Sequence, residues 1–207
     1  MPQKMDPTRG NLVQARKSFS AARNGKDLLE QKRQVLMMEL VRQIQSARRI
    51  QQELSRVFET AYRALQRANI SIGIDMVEEI SMAVPEEDGF MIRLRSVMGV
   101  EIPEIDPLPR EISPCYSFWQ TSASMDDAYK EFRNVLVLLA RLAEVETSVY
   151  RLAVAVRRTH RRVNALEKVV IPFYEQTMAF IDSVLEEQER EDFSRMKIAK
   201  KISGKVT

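Results

Sequence analysis

Leu54-Ser55-Arg56-Val57-Phe58-Glu59-Thr60-Ala61-Tyr62-Arg63-Ala64-Leu65-Gln66-Arg67-Ala68 decides the fold of this chain. Its residues Leu54, Val57, Ala61, Leu65 and Ala68 recur at steps of three and four. The pattern continues toward the N-terminus through Ile50, Ala47, Leu40, Leu36 and Leu29. A second stretch repeats it with Phe132, Val135, Leu139, Leu142, Val149, Ala153, Val156, Val163, Val170, Thr177 and Val184. Alternating three-four steps give a narrow seam, the pattern of a coiled coil, whereas a globular helix carries a wider apolar face. The spacing therefore predicts two long helices, from about Thr8 to Ala68 and from about Ser124 to Lys201. About 60 residues of helix span roughly 90 Å, so the expected product is a rod.

The intervening residues 70–123 differ in character. Pro85, Pro103, Pro107, Pro109 and Pro114 fall there, with Gly73, Gly89 and Gly99. Ile74 to Ala83 reads as a short helix, Gly89 to Arg95 alternates as a strand, and Val97 to Ile105 is its hairpin partner. The expected fold is all-α: a long antiparallel two-helix coiled coil with a small middle head of a short helix plus a β-hairpin. The corresponding domains are a helix at 1–69, the head at 70–123, and a helix and tail at 124–207.

Folding back through such a head pairs residues whose numbers sum to about 193. Arg33 then sits near His160, Arg42 near Arg151, and Gly25 and Pro172 at about one level. The second helix overhangs the first by about twenty residues. Asp6-Pro7 reads as the start of the first helix and Ser124 as the cap of the second. Pro172, inside the second helix, should kink it or leave a carbonyl unpaired.

Composition excludes several classes of function. The 207 residues carry a net charge of only +3, with one cysteine and one histidine. Cys115 cannot form an internal disulfide and suits a reducing compartment. No apolar run approaches the roughly 20 residues that span a bilayer, and the N-terminus lacks an apolar signal region. No glycine-rich phosphate loop is present. One histidine and one cysteine make a poor zinc site. Glu78 with Glu79, or Asp126 with Asp127, point apart on a helix and make poor catalytic pairs. Catalytic, cofactor and metal residues are accordingly expected to be absent.

Charge is zoned along the chain. Residues 1–50 hold eleven Lys+Arg against four Asp+Glu, and residues 151–168 hold six against one. Residues 70–118 hold three against ten. Antiparallel pairing brings the basic zones to one level and leaves an acidic head, which suggests two partners at two levels. The cluster Arg157-Arg158-Thr159-His160-Arg161-Arg162 reads as a solvated face, a protein-contact collar or a nucleic-acid patch. The absence of interleaved aromatics and of any known module weighs against nucleic acid. His160 reads as a tolerated polar seam residue, and Phe118-Trp119 as packing or a partner contact.

A more specific pattern lies in Arg162-Val163-Asn164-Ala165-Leu166-Glu167, followed by Ile171-Pro172, Leu185-Glu186-Glu187 and Glu191-Asp192-Phe193-Ser194-Arg195-Met196-Lys197. With Pro7-Thr8-Arg9, Leu12, Ala22, Gly25, Leu28-Leu29 and Lys32-Arg33, it resembles the D-subunit family of V/A-type (vacuolar/archaeal-type) rotary ATPases. The resemblance covers the whole chain, although the middle matches in character only. It implies a non-catalytic central rotor shaft, cytoplasmic and held to the membrane only through its complex. Its implied partners are the catalytic A and B subunits, the small F subunit of the rotor and a C/d-type socket protein on the membrane ring. Within that picture Lys32, Arg33, Arg157, Arg158, Arg161 and Arg162 form the face that senses the catalytic ring. Phe90, Ile92, Phe118 and Trp119 belong to the rotor foot. A structural coiled-coil scaffold or tether is the rival reading and explains the heptads without the Arg162–Pro172 run; a nucleic-acid-binding helical protein is a weaker one.

Overall fold

A computed structural model describes residues 5–85, 90–106, 115–117, 119 and 121–203. The order is α1 (Arg9–Ile72), α2 (Ile74–Ala83), β1 (Ile92–Val97), β2 (Val100–Ile105), α3 (Ala123–Ala165), a π turn (Leu166–Val170) and α4 (Ile171–Ser203). Thr8 caps α1: its Oγ1 accepts from the Asn11 N–H at 3.2 Å, an N-cap geometry. Asp6-Pro7 thus lies one step outside the helix. Likewise α3 opens at Ala123, so Ser124 is already helical and does not cap it. Gly73, at φ 90°, turns the chain from α1 into α2, a conformation that glycine adopts without a Cβ clash.

Packing divides the chain into two units, Met1–Gln34 with Arg157–Thr207 and Val35–Val156. In the second unit α1 and α3 run antiparallel. Leu36 packs with Leu152 and Val156, Leu54 and Ala61 with Val135 and Leu138, and Ala64 and Ala68 with Met125 and Ala128. The last layer also takes Val77 and Ile80 from α2. Burying each large aliphatic side chain contributes about 1.5–3 kcal/mol, so stability is distributed along the seam in layers.

The α3 seam differs from the sequence expectation. Leu138 and Leu152 are buried where Leu139 and Ala153 were expected, and Leu139 is exposed. Val145, Ser148 and Thr159 complete it. The steps along 145–148–152–156–159–163 keep to three and four only when polar residues are admitted. Ser148 is tolerated because its hydroxyl donates to the Glu144 carbonyl at 2.8 Å, which meets the cost of burying it.

The hairpin pairs Ile92 with Ile105 through Val97 with Val100. Its turn residues Met98 and Gly99 both have positive φ, 51° and 75°, as a two-residue type I′ turn requires. The hairpin docks through Ile102, which is 3% exposed and joins Leu36, Leu152 and Val156. Two α3 side chains then hold its main chain. Glu144 Oε2 accepts from the Ile105 N–H at 3.0 Å, and Arg151 Nη1 donates to the Glu101 carbonyl at 3.0 Å. Seven residues apart, they lie on one face of α3. Arg95 adds a 3.6 Å ion pair with Glu39.

Near the start of α3, Tyr116 donates to Asp126 Oδ1 at 2.6 Å and meets Tyr129 edge-on. Burial first, and the Asp126 carboxylate second, raise the phenol well above its ordinary value. The sign follows from linkage. The unfolded phenol ionises near pH 10 while the folded one stays protonated, so this contribution is complete below pH 10 and declines above it. The urea midpoint is expected to fall as pH rises above about 10, and Tyr116→Phe should flatten that decline. Equal slopes for the two proteins would refute it.

Candidate partner-binding surface

The first unit collects the basic cluster. Thr159 and Val163 are buried, which fixes the rotation of this part of α3. Arg157, Arg158, Arg161 and Arg162 are then exposed. Their spacing places Arg157 beside Arg161 and Arg158 beside Arg162, one turn apart. Among the described residues, no carboxylate makes an ion pair with any of the four. They form a cationic surface whose charge no described carboxylate pairs with.

Lys32 and Arg33 of α1 are half-buried in the same unit. Arg33 Nη1 donates to His160 Nδ1 at 3.1 Å, and the Asn164 amide lies 3.2 Å from Nε2. The structure thus joins Arg33 to the cluster through His160. It also moves His160 out of the seam, because Thr159 takes the buried position and His160 is exposed. No polar contact ties Lys32 to the four arginines among the described residues.

Further along this unit α1 is joined to the π turn by Lys26–Glu167 at 3.4 Å and to α4 by Arg16–Asp182 at 3.3 Å and Arg9–Glu189. These pairs again run antiparallel, α1 rising as α4 falls. The Arg33–His160 pair sums to 193, as the sequence register expected. The overhang is shorter than expected, since Arg9, the first residue of α1, already faces Glu189.

The foot residues lie in the second unit. Ile92 is 64% exposed on the hairpin and Trp119 81% exposed. Phe90 is half-buried, and Phe118 lies outside the described residues. Among the described residues no ring contact pairs Trp119 with Phe90. Sequence reading missed Ile70 and Ile74, exposed at the junction of α1 and α2, and Met82, exposed near the end of α2. Their signal was available, because none falls on the heptad seam. It also missed an open cleft of about 430 Å³ beneath the hairpin, lined by Glu39, Arg42, Arg95, Arg141 and Glu144 among others. Those residues come from three elements distant in sequence.

No described helix is long and apolar enough to cross a membrane. Among the described residues no group of His, Cys, Asp and Glu is arranged to hold a metal ion.

Residues 11–201 match the family model of the ATP synthase D subunit. The chain is similar to a V-type ATP synthase D subunit from Thermotoga neapolitana, 47% identical over 191 residues, covering 92% of this chain and 94% of that one. It is similar also to an A-type ATP synthase D subunit from Pyrococcus abyssi, 39% identical over 202 residues, covering 96% and 94%. Its similarity to the Methanopyrus kandleri A-type protein is 36% over 200 residues, covering 96% and 86%.

Proposed function

The chain belongs to the ATP synthase D-subunit family, and from that premise we propose that it is the central-stalk rotor of a V/A-type ATP synthase. In this reading it carries torque between the catalytic A/B ring and the ion-translocating membrane ring. It performs no catalysis and binds no cofactor. Its partners are the A and B subunits, the small F subunit of the rotor and the C/d-type socket protein. It is cytoplasmic and reaches the membrane only through the complex. The terminal helices make the coiled-coil domains, and residues 70–123 the foot.

The observation that carries the reading is the uncompensated arginine surface in a chain of this family. A rotor must hold its ring and still turn within it. Exposed ion pairs are worth about 0–1 kcal/mol each, so flexible arginines can exchange one acidic partner for the next at small cost. Arg157, Arg158, Arg161 and Arg162, with Lys32 and Arg33, face the ring in this role. In this reading Phe90, Ile92, Phe118 and Trp119 serve the foot partners, Ile92 and Trp119 being exposed.

Co-expression with the cognate A, B and F subunits tests the proposal. The expected result is a complex that holds together at physiological salt and hydrolyses ATP, with a bead attached to this chain rotating continuously in one direction. ATP hydrolysis by a complex in which this chain stays still would end the rotor reading.

A further inference from the structure

Within the first unit, one turn of the C-terminal strand is built differently from its neighbours. The helix is regular at Ala165 (φ −66°, ψ −42°) and again at Ile171 (φ −62°, ψ −52°). Between them Leu166–Val170 forms a π turn, and the Ile171 N–H bonds to the Leu166 carbonyl, five residues back. The next residue is Pro172, which has no N–H to donate. Neither the Lys168 carbonyl, four residues back, nor that of Glu167, five back, can receive a bond from it. In a regular helix the proline ring would also press on the Lys168 carbonyl. A widened turn relieves that clash, and π turns inside α-helices mark functional sites with notable frequency.

Packing does not make up for the weakened ladder. No residue of the π turn is buried, and Val169 is 65% exposed. Fully buried residues bracket the region, Val163 before it and Ile181 after it, with none between. On α1 of the same unit none of residues 16–34 is buried, whereas Ala15 is fully so. Lys26 reaches Glu167 at 3.4 Å, which sets Gly25 beside the π turn. Glycine weakens a helix interior, and a Cβ placed on Gly25 would meet no atom within 4 Å. Both helical segments are therefore least supported at one level. The contacts also step unevenly there. From Lys26–Glu167 to Arg16–Asp182, α1 advances ten residues and the C-terminal strand fifteen. The wide turn absorbs part of that mismatch, and the long Lys and Arg side chains absorb the rest.

We propose that Leu166–Pro172, with Gly25 opposite, is a bending joint between the packed layers at Val163 and Ile181. Its mechanical meaning rests on the rotor reading: a local soft turn lets the end of the shaft inside the ring yield as load builds, and recover between steps. The joint itself is a property of this chain and is measured without that reading.

Three measurements separate the levels. Hydrogen exchange on the full-length protein compares peptides spanning residues 166–180 in the wild type and in Pro172→Ala. Alanine restores the donor and removes the clash, so exchange there is expected to slow at least about tenfold, with no change around residues 150–160. Equal rates in the two proteins would overturn the joint. Deleting Val169 in the Pro172→Ala background should leave the helix content by circular dichroism intact, because the extra residue is taken from the widened turn. A loss of helix would also count against the joint. In the assembled complex, Pro172→Ala is expected to narrow the angular spread of an attached bead during each dwell. An unchanged spread beside slowed exchange would overturn the mechanical role. A complex whose wild-type shaft fails to rotate would defeat the rotor reading, while the exchange contrast would stand.

Discussion

Replacing Arg157, Arg158, Arg161 and Arg162 together by glutamine is expected to lower the ATP hydrolysis rate of the assembled complex by roughly tenfold, with a parallel loss of torque. The magnitude follows from the number and exposure of the groups. Each exposed pair is worth about 0–1 kcal/mol, and each 1.4 kcal/mol lost is about tenfold in rate. Four weak contacts acting together reach that size, whereas any single replacement should cost less than about threefold. Glutamine keeps the length and hydrogen-bonding capacity and removes only charge. The four side chains are exposed and, among the described residues, lack carboxylate partners, so the variant should fold with unaltered helix content. Raising ionic strength should weaken the wild type in the same direction and the variant much less, because screening acts on charges that only the wild type retains. Unchanged rate and torque in the fourfold variant would dismiss the arginines as the ring-sensing face.

Ile102→Asp is expected to release the β-hairpin while leaving the helices paired. Ile102 is 3% exposed among Leu36, Leu152 and Val156. Removing a buried aliphatic side chain costs about 2–5 kcal/mol, and an unpaired carboxylate in its place costs more. The remaining anchors, Glu144 on the Ile105 N–H, Arg151 on the Glu101 carbonyl, the exposed Arg95–Glu39 pair and the partly buried Val97 and Val100, are too weak to hold two short strands around a buried carboxylate. An isolated two-stranded hairpin is marginal in water. Amide exchange across residues 92–105 should therefore rise to nearly the rate of an unstructured peptide. The far-ultraviolet helix signal should change little, because Leu54, Ala61, Val135 and Leu138 lie in a separate layer. Protection of the hairpin amides at the wild-type level would show that the main-chain anchors suffice alone.

The helices, the short α2 and the hairpin were legible in the sequence because each rests on a local period. Three-four steps, a ten-residue amphipathic run and strict alternation all register within one element. The α3 seam was less legible. Leu138 and Leu139, or Leu152 and Ala153, are neighbours of similar polarity, and only contact with α1 decides which one faces inward. Ser148 and Thr159 were passed over because an apolar scan gives no credit to polar side chains, although the Ser148 hydroxyl is satisfied by its own helix. Pro172 was read as a kink or an unpaired carbonyl. The structure answers with a wide turn, a solution that depends on the sparse burial around it. The basic cluster was visible as composition, and its link to Arg33 through His160 followed from the antiparallel register. The polar cleft under the hairpin draws on Glu39, Arg95 and Glu144 from separate elements, a juxtaposition that no local pattern records.

The hairpin's attachment has a consequence for how freely this segment can be rewritten. Glu144 and Arg151 grip main-chain atoms of Ile105 and Glu101, and those atoms are the same whatever side chains the two positions carry. Docking thus prescribes a buried Ile102, with Val97 and Val100 packed beside it, and leaves the outward positions Ile92 and Leu94 outside its demands. Mutations there carry little folding penalty. The hairpin is a place where new recognition can be acquired one residue at a time without first destabilising its support.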